Sequence, residues 1–284
     1  MDLCDRKDIQ SLLARHGFHF AKSLGQNFLI RGDVAEAIAD AGCIPGCGVL
    51  EVGPGIGALT VQLARRAEKV VSVELDKRLP PVLAETMADC DRFTLIEGDV
   101  MKLSLAAVAA EQFQGLEPVL CANLPYNITT PFLTECVRAG CFRQLTVLIQ
   151  KEVAQRICAR PGTGEYGAFT VLMQYYTEPE LLFEVPNTCF MPPPKVTSAV
   201  VRCVTRRERP VRVVSEEAFW RTVRAGFALR RKTLVNSLQT GWQLPKERLA
   251  GIVESCGLPP TVRGEALGLE EYARLADALA AAVE

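Results

Sequence analysis

The chain has 284 residues, enough for two domains, and its 49% hydrophobic and 23% charged content is that of a folded protein, not a disordered one. No apolar run approaches the roughly 20 residues of a membrane span, and the start MDLCDRKDIQ has neither signal-peptide order nor an Arg-rich, acid-poor transit character. Net charge is −1, which excludes a uniformly basic protein, yet residues 195–250 hold 13 Lys/Arg against four Glu, so that segment is +9 and the remainder −10.

A cytoplasmic protein without membrane contact is therefore expected. Its basic segment faces either a polyanion or, as a solvated helical surface, nothing but water.

From residue 33 to about 150, apolar runs alternate with helix-like stretches. VAEAIADAG (34–42) reads as a helix ended by glycine, GVLEVG (48–53) as a buried strand and ALTVQLARRA (58–67) as a helix. KVVSVEL (69–75) is a second strand. LPPVLAETMA (79–88) starts a helix with prolines in its first turn, where they are tolerated. FTLIEGD (93–99), EPVLCANLP (117–125) and QLTVLIQ (144–150) give three more strands, the last followed by the helix KEVAQRICA (151–159). Strands spaced by helices predict βαβ crossovers and a mostly parallel sheet covered on both faces.

AFTVLMQYYTEPELLFEVP (168–186) and TSAVVRCVT (197–205) are β-like, the former broken by a turn at Thr177–Pro179, and predict a closing antiparallel pair at one sheet edge. RRERPVRV (206–213) reads as a linker. Beyond Ser215, which offers a helix cap, the spacing is helical to the end. Two domains are expected, 1–205 with an N-terminal helical segment and 206–284 as a helical RNA-binding domain. Phe219, Trp220 and Phe227 fall on an apolar helix face and read as core.

Eleven cysteines are scattered through apolar segments. Cys43 and Cys47 lie four apart, with no second pair at zinc-finger spacing. Reduced core thiols are expected, with no metal site.

Two segments carry chemistry. In Glu51-Val52-Gly53-Pro54-Gly55-Ile56-Gly57 a strand runs into a glycine turn and then a helix, whose first N–H groups face a ligand. A dinucleotide fingerprint, G-x-G-x-x-G, fits only loosely, with Ala58 at its last position. Glu74 lies 21 residues after Gly53 at a strand end, where a carboxylate takes both ribose hydroxyls of an adenosine. Asp99 closes the third strand, within reach of an adenine.

The second segment is Asn123-Leu124-Pro125-Tyr126, after the fourth strand. An exocyclic base amine is a poor nucleophile because its lone pair is delocalised into the ring. The Asn123 side-chain oxygen and the Leu124 carbonyl can hold its N–H groups, Pro125 stiffens the turn, and Tyr126 offers a face for stacking. Phe190, ahead of the proline run in MPPPKV (191–196), is a second candidate face. With a methyl donor already activated as a sulfonium, alignment matters more than acid–base help. The only histidines, His16 and His19, lie near the N-terminus. The substrate base must leave its stack to enter such a pocket, and Arg230-Arg231-Lys232 would grip phosphates beside it. These residues point to methyl transfer onto a base nitrogen.

The chain resembles the KsgA/RsmA-type ribosomal RNA adenine dimethyltransferases. The match runs nearly end to end through LGQNFL (24–29), EVGPGIGALT (51–60), VELD (73–76), NLPYNITTP (123–131), QKEVAQRI (150–157), FMPPPKVTSAVVR (190–202) and RRKTLVNSL (230–238). The resemblance implies an α/β fold: a Rossmann-like S-adenosylmethionine-dependent methyltransferase domain with a small all-helical C-terminal domain. It implies dimethylation at N6 of two adjacent adenines in the 3′-terminal hairpin of small-subunit (16S) rRNA within a pre-30S particle, by a monomer that uses no metal.

By motif position the resemblance gives Asn27, Leu29, Gly53, Gly55, Glu74, Asp99, Val100 and Asn123 as the S-adenosyl-L-methionine set. Asn123, Leu124, Tyr126 and Phe190 would act on the base, and Lys195, Arg230, Arg231 and Lys232 on RNA. Three alternatives stand beside this reading: an Erm-type large-subunit rRNA dimethyltransferase, a non-catalytic ribosome-assembly factor on the same fold, and a nicotinamide-dependent oxidoreductase.

Overall fold

A computed structural model describes residues 1–20 and 25–283. The chain divides into two compact units, one of Met1–Ala154 with Glu178–Thr205, the other of Gln155–Thr177 with Arg206–Glu284.

The first unit is built on β2 (Cys47–Val52), β3 (Lys69–Glu74), β4 (Phe93–Glu97), β5 (Glu117–Asn123), β6 (Gln144–Gln150), β7 (Thr177–Val185) and β9 (Ser198–Thr205). Their order in the sheet is β4-β3-β2-β5-β6-β9-β7. The first five run parallel, with Val49 opposite both Val70 and Val119, and β9 lies antiparallel to β6 with Val147 opposite Val201. All six residues of β2 are buried, as a strand covered on both faces requires.

The helices α3 (Ala58–Ala64), α4 (Pro80–Thr86), α5 (Leu105–Gln112) and α6 (Thr129–Ala139) are the crossover segments, while α2 (Gly32–Gly42) leads into β2 and α7 (Lys151–Ile157) follows β6. Pro80 and Pro81 occupy the first turn of α4. Chain order reverses across β2, which neighbours both β3 and β5, so ligands bind outside the carboxyl ends of these strands. A short antiparallel pair, β1 (Phe28–Leu29) with β8 (Phe190–Met191), completes the strands. The N-terminal helix α1 (Arg6–Arg15) is capped by the Asp5 carboxylate and buries Ile9, Leu12 and Leu13 beside Leu79, Val82 and Leu83.

The second unit is helical, with α8 (Ala168–Tyr176), α9 (Glu216–Ala228), α10 (Leu234–Leu238), α11 (Lys246–Ser255) and α12 (Leu269–Ala281). Ser215 caps α9 by accepting from the Ala218 amide. Phe219, Val223, Leu238, Leu249, Tyr272 and Leu275 form its core, each large apolar side chain contributing about 1.5–3 kcal/mol by burial. Helices α9 and α12 approach closely at Gly226, where a Cβ would meet the Tyr272 hydroxyl at 2.5 Å.

Two expectations are corrected. Residues 168–176 form a helix, not a strand: Val171 and Tyr175, four apart, both bury in the helical core, and Thr170 secures the first turn through the Gly167 amide. The expected turn at Thr177 is instead the junction of α8 with β7, where the Thr177 hydroxyl donates to the Met173 carbonyl. In addition, residues 155–177 group with the helical unit, so the chain passes between units three times and Thr205/Arg206 is one of those crossings.

None of the eleven cysteines is joined in a disulfide. Among the described residues no group of three or more His, Cys, Asp or Glu is placed to hold a metal, and no helix is long and apolar enough to cross a membrane.

Candidate active site

A cavity of about 130 Å³ opens at the carboxyl ends of β2, β3 and β5; a water needs only roughly 10–15 Å³ on that scale, so it has room for more than solvent. Its floor is the turn after β2, where Gly53, Gly55 and Gly57 all have positive φ (67°, 60° and 95°). Gly55 has a second constraint, since a Cβ there would stand 2.9 Å from the Phe28 ring. No other residue fits both the conformation and the space.

Glu74 ends β3 and lines one wall. Its carboxylate accepts from the Asp76 amide at 2.7 Å, and burial pushes the carboxyl up to about 7. A buried acid held by backbone donors alone among the described residues has lone pairs to spare, which suits the two hydroxyls of a ribose. Asp99 lies further along the same wall with Val100, one oxygen accepting from the Met101 amide at 3.0 Å.

Asn27 and Leu29 reach the cavity from the N-terminal segment. Asn123 stands at the end of β5 and donates from Nδ2 to the Asn27 carbonyl at 3.2 Å. That bond turns Oδ1 away from Asn27 as an acceptor. Leu124 is buried, with its amide on the Leu148 carbonyl at 3.1 Å. Tyr126 is half-buried, its hydroxyl 2.7 Å from that of Ser198, and burial raises its phenol above the ordinary value.

The fold thus gathers all eight residues of the expected cofactor set, together with Leu124 and Tyr126, around one cavity. Phe190 is a correction. It is 0% exposed, lies opposite Leu29 in the β1–β8 pair and packs with Ile38, Leu148 and Val200. Its ring offers no face to a base in this structure. Lys195 is exposed between β8 and β9.

Arg230, Arg231 and Lys232 are all exposed, in the turn joining α9 to α10 rather than on a helix. Arg230 donates to the Gly164 carbonyl.

Four residues of the site went unassigned in the sequence. Glu51 is 1% exposed, accepts from Ser72 (2.6 Å) and Thr60 (2.8 Å), and is pushed by burial up to about 7. A lone acid inside the apolar run GVLEVG was its signal. Gln26, Asp76 and Ser198 stand inside the motifs quoted above, but the Gln26–Asp76 and Ser198–Tyr126 pairs span 50 and 72 residues, so local spacing gave them no role.

An open sheet with this strand order, a glycine turn at the switch point and an acid ending the next strand define a Rossmann-like methyltransferase. The chain matches the family model of ribosomal RNA adenine dimethylase over residues 17–280, and it belongs to that family. It is 48% identical over 278 residues to the ribosomal RNA small subunit methyltransferase A of Geobacillus thermodenitrificans, covering 95% of this chain and 94% of the relative. The protein of the same name from Bacillus cytotoxicus is 45% identical over 284 residues, covering 98% and 97%.

Among solved structures, the 23S rRNA methyltransferase ErmE is similar with a TM-score of 0.67 at 27% identity, covering 89% of this chain and 100% of that one. A dimethyladenosine transferase from Plasmodium falciparum shares the fold with a TM-score of 0.72 at 22% identity, covering 87% and 95%.

Proposed function

We propose that this rRNA methyltransferase dimethylates N6 of two adjacent adenines in the 3′-terminal hairpin of small-subunit rRNA, within a pre-30S particle, as a cytoplasmic monomer using S-adenosyl-L-methionine. Relatives that carry the small-subunit name at 45–48% identity over nearly the whole chain support that substrate over large-subunit rRNA. The observation that carries the chemistry is the Asn123–Asn27 bond, which leaves the Asn123 oxygen available as an acceptor, next to the Leu124 carbonyl, at the cavity.

When bound, S-adenosylmethionine supplies an electrophilic methyl group. The residues of this chain supply position. Glu74 would accept from the ribose hydroxyls and Asp99 would meet the adenine, both from the cavity wall, and the glycine turn would let the backbone approach. Asn123 and the Leu124 carbonyl hold the N6 protons of the target adenine, and Tyr126 stacks on its flipped ring. Each transfer releases one N6 proton to solvent, so after the first a single N–H remains for one acceptor, and the methylamino group turns about its C6–N6 bond for the second. The helical unit, with Arg231 and Lys232 exposed, takes the RNA backbone.

Primer extension across both rRNAs, from cells lacking the gene with and without its restoration, tests this. A stop at adjacent adenines near the small-subunit 3′ end that is lost on deletion and returns on restoration is the expected result. A stop confined to large-subunit rRNA, or no change in either, would overturn it.

A further inference from the structure

The strand end that supplies Glu74 also holds the N-terminal segment in place. Asp76, two residues on, has a side chain only 5% exposed. Its amide donates to Glu74 Oε1 at 2.7 Å. Its carboxylate accepts from Gln26 Nε2 at 2.7 Å and from Arg78 at both oxygens, Nε at 2.8 Å and Nη2 at 2.6 Å.

Arg78 in turn donates to the His19 carbonyl at 2.9 Å and places its guanidinium 4.9 Å from the centre of the Phe18 ring. One carboxylate therefore joins the wall that carries the ribose acid to the segment that carries Gly25, Gln26, Asn27 and Leu29, all of them at the cavity.

An exposed ion pair contributes little. This one differs because the acid is buried, the fork is bidentate, and every remaining acceptor direction is used. Gln26 donates to that carboxylate from a half-exposed site, where a neutral amide bond to a loosely held acceptor competes with water. The Arg78 guanidinium fixes the Asp76 carboxylate so that Gln26 meets a preset acceptor, and it holds that carboxyl below the usual range.

We propose that Asp76 and Arg78 are positioning residues for the cofactor, clasping Gln26 and its neighbours against the β3 end so that both sides of the cavity keep one spacing. The inference rests on the cavity being the S-adenosylmethionine site.

The test is cofactor affinity by calorimetry, with S-adenosylmethionine and S-adenosylhomocysteine, on wild-type protein and on Asp76→Ala, Gln26→Ala and the double variant. Amide hydrogen exchange of residues 25–29 is followed without ligand. Each single variant weakens both ligands by about tenfold, the double variant weakens them no further, and exchange rises at 25–29 while β5 is unchanged. Gln26→Ala buries no unpaired charge, so it reports even if Asp76→Ala folds poorly. Wild-type affinity in Gln26→Ala, or additive losses in the double variant, would overturn the clasp. A wild-type protein that bound neither ligand would overturn the cofactor assignment instead, while faster exchange at 25–29 in the variants would still support the clasp.

Discussion

The Asn123 carboxamide nitrogen stands 3.2 Å from the carbonyl oxygen of Asn27, a residue 96 positions earlier in the chain. The bond fixes the side chain's rotation, and with it the direction in which the oxygen accepts. Replacing Asn123 by alanine removes the acceptor and leaves the backbone of Leu124 in place. Methyl transfer is expected to fall by at least about 100-fold, the scale of losing an aligned group in a site that works by alignment. RNA affinity stays within about twofold, because base contacts specify while phosphate contacts hold. Filter binding beside transfer of labelled methyl groups separates the two quantities.

Tyr126 and Ser198 form a second fixed relationship, with their hydroxyls 2.7 Å apart and Ser198 fully buried at the start of β9. If the ring stacks on the target base, Tyr126→Ala should damage methyl transfer far more than cofactor affinity, with base–aromatic stacking worth about 1–3 kcal/mol. Tyr126→Phe and Ser198→Ala each remove the same hydroxyl contact and keep the ring. Each should raise KM for RNA by about threefold to tenfold, and the pair should do so no more than either alone. Equal loss of cofactor affinity and transfer in Tyr126→Ala would refute the stacking role.

Much of this site was readable because its parts are local. Asn123, Leu124 and Tyr126 sit in one turn, and the spacing of Gly53, Glu74 and Asp99 follows from strands ending at one sheet edge. Ser198 and Gln26 act on partners 72 and 50 residues away, which only the fold supplies. Phe190 reads as a free aromatic, but its register opposite Leu29 carries the ring into the core. Residues 168–176 are apolar nearly throughout, so periodicity cannot separate helix from strand there; burial of Val171 and Tyr175 on one helix face decides it. The basic trio continues a helical pattern that stops at Leu229, whose ψ of 73° leaves the helix.

Two buried carboxyls lining the cavity make the protein's stability depend on pH. Burial raises both Glu51 and Glu74 from 4.5 to about 7. Between those values the folded chain holds protons that the unfolded chain has released, so the stability of the ligand-free protein falls as pH rises through that window. Neutral, similarly shaped Glu51→Gln and Glu74→Gln variants should flatten the fall, raising Tm at about pH 8 by roughly 2–5 °C over wild type. Glu74→Gln should also weaken S-adenosylmethionine by about tenfold, since hydroxyls bind a carboxylate more strongly than an amide. Thermal melts across pH and titration calorimetry measure both. A wild-type Tm that did not fall from about pH 5 to about pH 8 relative to the glutamine variants would contradict the assignment.

The trio at the α9–α10 turn does not act as three equal charges. Arg230 is engaged with the Gly164 carbonyl, while Arg231 and Lys232 stand exposed. Each phosphate contact contributes about 0.9 to the slope of log affinity against log salt. Reversing Arg231 and Lys232 to glutamate should therefore weaken rRNA binding and lower that slope by about two, with cofactor affinity unchanged. Arg230→Ala should act differently. It loosens the loop that carries Gly164 and lowers the slope by less than one contact's share, with faster amide exchange across residues 160–166. Binding isotherms at several salt concentrations, with hydrogen exchange on the Arg230 variant, distinguish the two roles. An unchanged affinity and slope in the Arg231→Glu, Lys232→Glu protein would remove this turn from the RNA interface.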